Sequence, residues 1–519
     1  LGVRSPLPAQ QNQRLRVATM SQTDFHLATT PRLAAPLQFR SKPYHHGMAT
    51  SAATGPNFAE PRILSHPGSL YPPGPSRWSR LLTAKPLWQN PIDTLTENAR
   101  RYGDLVHYHA LDGHVFQFNH PTLIQELLTD NEKRNRRVLV MQRARNFLGD
   151  GLLTSEEPLH MRQRRMAAPA FHRQRITAYA DAIGHFAAEV TGRWQPGVRA
   201  MHPEMLLIAL RIVGKTLFDI DDEAEALAIT DAFSSMRGAP PPPAWVPDAV
   251  LETLQKMPFG PMLRVRQGME RLDSILYGMI AARRKAPGDR GDLLSMLLEA
   301  SDSEADGQSS APAKMSDKLV RDECLTIILA GHETTANVLS FAMDVLARHP
   351  HVQDALHAEA VRVLGARRPK ADDYSSLKYA YMVFAEVMRL FPTVWVIGRS
   401  AGPEAYDFHG FTIPPKAALL APQIVVHRDP RFWDDPETFY PERFAEENKR
   451  PRYAYFPFGG GSRQCIGEAL AWMEGVFTLA TIARDWRLEP APGAPARLPL
   501  QASINLRPKN GVPVRLLRR

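Results

Sequence analysis

From about residue 71 onward, apolar side chains recur every three to four positions through long stretches divided by short polar loops, the spacing of amphipathic helices that bury one face. Two-residue alternation is confined to brief runs such as LVHYHAL and HVFQFN, which predict short strands. The pattern therefore predicts a mainly α protein with small β-sheets. The densest apolar runs, residues 205–213 and 325–331, fall short of the roughly 20 continuous apolar residues that span a bilayer, and Arg211 interrupts the first, so no transmembrane anchor is expected. Prolines crowd residues 238–247 and a polar stretch covers 301–317, but the helical style is the same on both sides of each, so residues 61–519 read as one domain. Residues 1–60 lack sustained periodicity, carry only Asp24 and Glu60 as acids, and are rich in Ala, Pro, Gln, Ser and Thr. They read as a disordered N-terminal extension, either sequence upstream of a start at Met20 or Met48 or an organellar transit peptide.

Composition changes this picture in two places. Two cysteines in 519 residues, far apart, provide neither a disulfide framework nor a Cys-x-x-Cys metal spacing, which fits a reducing compartment and a cytoplasmic protein. The net charge of +9 is scattered rather than striped, which disfavours nucleic acid and suits an acidic protein partner or an anionic substrate.

The chemistry concentrates in four segments. In FPFGGGSRQCIGEALA, Cys465 follows a glycine run and stands at the start of a helical pattern, where free amides and the helix dipole favour a thiolate and lower its pKa. Cys324 has no such setting and reads as a small buried hydrophobe. In YMVFAEVMRLF, Glu386 and Arg389 are three apart on an apolar pattern, so they share a helical face and are expected to be buried with further partners. In ILAGHETTANV, small residues, Glu333 and two threonines interrupt an apolar helix, although a helical threonine commonly just bonds its own preceding carbonyl. In EEPLHMRQRRMAAPAF, His160 and Arg164 are four apart and share a face.

Together these segments resemble the cytochrome P450 family. Phe458, Gly461, Arg463, Cys465 and Gly467 are similar to its F-x-x-G-x-R-x-C-x-G signature, Glu386 and Arg389 to its E-x-x-R motif, and Ala330, Gly331, Glu333 and Thr334 to its (A/G)-G-x-(D/E)-T motif. The resemblance implies a single triangular haem-binding domain with haem b held by the Cys465 thiolate. It implies that Arg463, Arg399, Arg164 and His160 contact the propionates, that Phe458 packs on the sulfur side, and that Gly331 beside Ala330 leaves room for dioxygen. It makes Thr334 the hydroxyl that positions water and bonds activated oxygen, with Glu333 the link to solvent protons. Glu386, Arg389 and Arg443 become a structural network under the cysteine loop. His332, a tempting ligand, falls on a variable position and is expected to point away.

The implied activity is that of a monomeric monooxygenase of the soluble bacterial type, inserting one oxygen atom into a lipophilic substrate such as a fatty acid, terpenoid or carotenoid. No flavin or iron–sulfur segment follows the cysteine helix, so electrons are expected from a ferredoxin and ferredoxin reductase. Arg162, Arg165, Arg173, Lys449 and Arg450 are candidates for steering the donor. Substrate would be bounded by residues 134–148, 233–265, 394–397 and 501–504. A peroxygenase, an isomerase or dehydratase, and a non-catalytic haem-binding protein are the alternatives, though the first two would not need the Glu333 and Thr334 pair.

Overall fold

Ser316 starts the longest helix among the described residues: its hydroxyl accepts the Leu319 N–H (3.2 Å), and Asp317 in the first turn complements the positive helix end. The helix stops at Arg348, and Pro350, with no N–H to leave unsatisfied, opens the next. The computed structural model describes residues 60–76, 90–110, 113–236, 250, 260–302, 313–446 and 450–519. The predicted extension lies outside them apart from Glu60, as do the proline run, Lys449, and residues 303–312 of the polar stretch.

The helices that build the site are α1 (Leu159–Ala167), α2 (Arg173–Gly192), α3 (Met201–Phe218), α4 (Asp317–Arg348), α5 (Pro350–Leu364), α6 (Lys378–Leu390) and α7 (Glu468–Asp485). The long helix α4 packs against α3, α6 and α7, and α7 packs in turn on α2, α5 and α6. Apolar side chains from all of these merge into one core, which is why residues 205–213 of α3 and 325–328 of α4 are apolar on nearly every side.

The two strands expected from LVHYHAL and HVFQFN form an antiparallel hairpin, β1 (Leu105–Ala110) and β2 (Gly113–Phe118). With β3 (Asn135–Arg137), β4 (Ile397–Ala401) and β5 (Ala418–Ala421) they make a five-stranded sheet in the order β1-β2-β5-β4-β3. Only the β2–β5 pair is parallel. One row of partners crosses every strand: His107, Phe116, Leu419, Arg399 and Arg137. Near the C-terminus β6 (Leu500–Ala502) and β7 (Leu506–Pro508) form a separate hairpin. The mainly helical architecture with small sheets is the one expected.

Candidate active site

The cysteine loop is fixed before it reaches the helix. The Cys465 N–H donates to Phe458 O (2.9 Å), and Gly461, at φ +71°, takes a turn in which any side chain would sit 2.1 Å from Leu128 O. The Ser462 N–H donates to the Glu132 carboxylate (3.1 Å), and Gly467, whose N–H faces the sulfur, precedes α7. Part of the Cys465 surface is accessible although protein surrounds the thiol closely, a combination that belongs to the wall of a hollow.

Against the thiolate expected from the helix start, burial pushes the Cys465 thiol up to about 11, outweighing the Gly467 N–H and the nearby Arg164. A bound metal ion would have to supply the missing stabilisation, since coordination deprotonates a thiol outright. In haem-free protein, alkylation of Cys465 is therefore expected to be slow at pH 8 and to accelerate as the pH approaches 11. Rapid labelling at pH 8 would contradict this; buried Cys324, whose thiol is also raised by burial, is the internal control.

Beside the loop, arginines converge from four elements. Arg463 donates to Ser155 O (3.0 Å) and Glu156 (3.0 Å), and Glu156 also accepts the Arg137 N–H (2.7 Å). Among the described residues, the side-chain bonds of the other three guanidiniums all end on backbone: Arg137 on Leu152 O (2.9 Å), Arg164 on Gln464 O (2.7 Å), and Arg399 on Gly398 O (3.0 Å). Arg399, 8% exposed, is lowered to about 10 by burial and then by Arg463. Arg137 is lowered by burial, Arg463 and Arg399, and its buried Nε has no partner. Three guanidiniums thus keep donors to spare in a site short of negative charge, which is what two propionate carboxylates would relieve. The residues present fit a haem.

His160 is buried here too, held to about 4 by burial and Arg463, with Nδ1 on Glu157 (2.7 Å). It is neutral near pH 7. With Nδ1–H committed to Glu157, Nε2 is an acceptor, so a carboxylate there would require a second proton on the ring.

Glu386 and Arg389 are both 0% exposed and joined twice, Nε to Oε2 and Nη2 to Oε1, each at 2.7 Å. Arg443 adds Nε to Oε1 (2.9 Å) and the Tyr440 N–H donates to the same oxygen (3.0 Å). Arg389 also donates to His427 O (2.9 Å) and Pro436 O (2.6 Å). Buried His427, kept neutral by burial and Arg389, accepts the Phe456 N–H at Nε2 (3.0 Å), while Gln423 donates to Phe456 O (2.7 Å). The triad thus reaches the start of the cysteine loop through His427.

The middle of α4 is the second wall. Its side chains are buried over residues 320–328 and 335–347, yet Ala330 is exposed and Leu329, Gly331, Glu333 and Thr334 are partly so. Such a break within a core helix marks an opening. His332 is buried, its Nδ1 on Ile328 O (2.8 Å) and its ring against Phe233 (5.6 Å). Thr334 donates to Ala330 O (2.6 Å), and Glu333 accepts from Asn505 (3.4 Å). A side chain at Gly331 would press on Val213 of α3, 3.1 Å away, so this glycine lets α3 and α4 pack closely. Segment 150–152, leading to α1, is tied to α4 by Asp150 N–H on Asp322 (2.9 Å) and Leu152 N–H on Glu323 (3.0 Å).

Two of the expected substrate segments meet beside Glu333. Trp395 Nε1 donates to Ser503 O (2.8 Å) and the Leu506 N–H to Thr393 O (2.8 Å). Partly accessible Val394, Val396, Leu500 and Ala502 lie on these strands of chain. Of the basic surface candidates, Arg165 and Arg173 are exposed and Arg162 partly so. Arg450 instead lies over Trp433 (4.3 Å) and donates to Arg443 O (2.9 Å), committed to packing near the triad. Sequence reading missed Arg137, Gln423 and His427.

Comparison with known proteins agrees with this geometry. The cytochrome P450 family profile matches residues 72–513. Cyclooctatin synthase of Streptomyces melanosporofaciens is 35% identical over 418 residues, 79% of this chain and 89% of that protein. Cyclooctat-9-en-7-ol 5-monooxygenase of the same organism is 34% identical over 422 residues, covering 78% and 87%. Pentalenene oxygenase of Streptomyces avermitilis is 29% identical over 400 residues, covering 76% and 86%.

Proposed function

Because the chain belongs to the cytochrome P450 family, we propose that its oxygen-inserting chemistry is directed at a polycyclic terpenoid. The enzyme is a haem-thiolate monooxygenase. When bound, haem b uses two electrons and two protons to insert one atom of dioxygen into the substrate and release the other as water.

In this reading Cys465 ligates the iron, the Gly467 N–H supports the sulfur, and Phe458 packs beside it. Arg137, Arg164, Arg399 and Arg463 hold the propionates, with His160 among them if protonated. The Thr334 hydroxyl, donating to Ala330 O, keeps lone pairs at Oγ1 with which to hold a water, and half-exposed Glu333 exchanges protons between that water and solvent. Electrons come from a separate ferredoxin and its reductase, drawn by Arg162, Arg165 and Arg173.

The observation that carries the substrate class is the opening of α4 beside two segments, residues 393–396 and 500–506, that are joined to each other by hydrogen bonds and leave Val394, Val396, Leu500 and Ala502 partly accessible. That wall sets aliphatic surface beside the amides of Gln501 and Asn505, and neither segment carries a lysine or arginine to bind a carboxylate, which suits a compact hydrocarbon skeleton better than a chain with a charged head. The named substrates of two relatives, pentalenene and cyclooctat-9-en-7-ol, are of that kind.

The test is a spectral titration of ferric protein with cyclic terpene hydrocarbons and alcohols beside fatty acids and carotenoids. A cyclic terpene is expected to shift the spin state; a shift by fatty acids alone would overturn the substrate class. With the ligand so found, Thr334→Ala is expected to divert reducing equivalents to peroxide. Coupling equal to that of the unaltered enzyme would remove Thr334 from its role.

A further inference from the structure

The hairpin β1–β2 is the outer edge of the five-stranded sheet, and three of its side chains are imidazoles. His107 and His109 stand two apart on β1 and so share a face, and His109 is paired directly with His114 of β2. The three rings gather as a result, with centroids 5.1 Å apart for His107 and His114, 4.4 Å for His109 and His114, and 5.1 Å for His107 and His109. His107 Nε2 lies 3.0 Å from His114 Nδ1, and one nitrogen from each ring falls within 4.8 Å of the others.

Packing explains part of this. Tyr71 stacks on His107 (4.4 Å, 23°) and leans on His114 (5.0 Å), while Phe116 packs against His107 (4.8 Å). Packing alone asks only for bulky strand formers, however, and valine, threonine or tyrosine would serve it without bringing three titratable rings together.

We propose that His107, His109 and His114 form a binding site for a divalent transition-metal ion, Zn2+ or a neighbour such as Ni2+, Cu2+ or Co2+. Imidazole nitrogens without carboxylates select such ions over magnesium and calcium. At Zn–N distances of about 2.0–2.1 Å, tetrahedral ligand nitrogens stand about 3.3 Å apart. The His107–His114 pair is already near that separation, and the third ring has at most about 1.5 Å to close by side-chain rotation. Three protein ligands leave the fourth position to water. The site is separate from the haem pocket: His107 and Arg399 are three strands apart in one row, about 14 Å at a spacing of about 4.8 Å per strand. Its occupation would pin the edge strand to its neighbour and fix the Tyr71 segment lying on it.

The experiment is equilibrium dialysis of tag-free, haem-loaded protein against Zn2+, with bound metal determined by elemental analysis and thermal unfolding followed with and without Zn2+. The unaltered protein is expected to take up one equivalent more than the His109→Ala/His114→Ala variant, and only the unaltered protein is expected to unfold at higher temperature with Zn2+. Both replaced rings are half-exposed, so haem content should be unchanged in the variant; should it fall, His109→Gln, which keeps bulk but not the ligand, takes its place with the same expected loss. Equal uptake by the unaltered and variant proteins, or no uptake by either, overturns the proposal.

Discussion

Cys465→Ser is expected to abolish the red-shifted Soret band of the carbon monoxide complex of reduced protein and to cut turnover by on the order of a thousand-fold or more, about 4 kcal/mol of barrier. The reasoning is local. Serine preserves the size of the side chain and leaves the N–H bond to Phe458 O untouched, so the loop geometry survives. What is lost is the soft, electron-rich ligand that the hydroxyl cannot replace. Haem content and circular dichroism separate a ligand effect from a folding effect. A haem-loaded serine variant that keeps both the band and the turnover would end the assignment of Cys465 to iron.

Glu386→Gln is expected to act without touching the chemistry. Glu386 faces Arg389 and Arg443 with no exposed surface, so removing its charge leaves two guanidiniums buried around a neutral amide. Breaking a buried pair in this manner costs about 3–5 kcal/mol. Because Arg389 also anchors His427 O, and the His427 ring holds Phe456, the loss should propagate to the cysteine loop. The measurements are haem retained per chain after gel filtration and the midpoint of thermal unfolding, both of which should drop, whereas Glu442→Gln, on the turn that carries Arg443 but bonded among the described residues to the Tyr379 hydroxyl (2.8 Å), should change little. An unfolding midpoint equal to that of the unaltered protein would mean that the triad does not support the loop.

Where spacing along one helix or one loop determines geometry, the sequence was readable. Glu386 and Arg389 meet because residues three apart share a face, and β1 and β2 follow from alternation around a short turn. Arg137 escaped because β3 is three polar residues with no apolar alternation, and its meaning arises only from pairing with Arg399 across the sheet. His427 and Gln423 escaped because the segment they occupy packs against Phe456, about thirty residues on, a contact with no local signature. The Cys465 thiol shows the opposite error. A local argument from the helix start gave the wrong direction, since desolvation comes from distant parts of the chain and outweighs it. Likewise Thr334 makes the ordinary bond to its own helix, and only the opening around Ala330 distinguishes it from other helical threonines.

The arginines beside the cysteine loop repel one another, and burial disfavours their charge further. The porphyrin is then as much a counter-ion as a catalyst: its carboxylates would discharge a tension that the polypeptide builds up as it folds. Loading then adds to the stability of an already folded chain, and a cell short of porphyrin would hold this chain in a state more open to proteolysis than the finished enzyme.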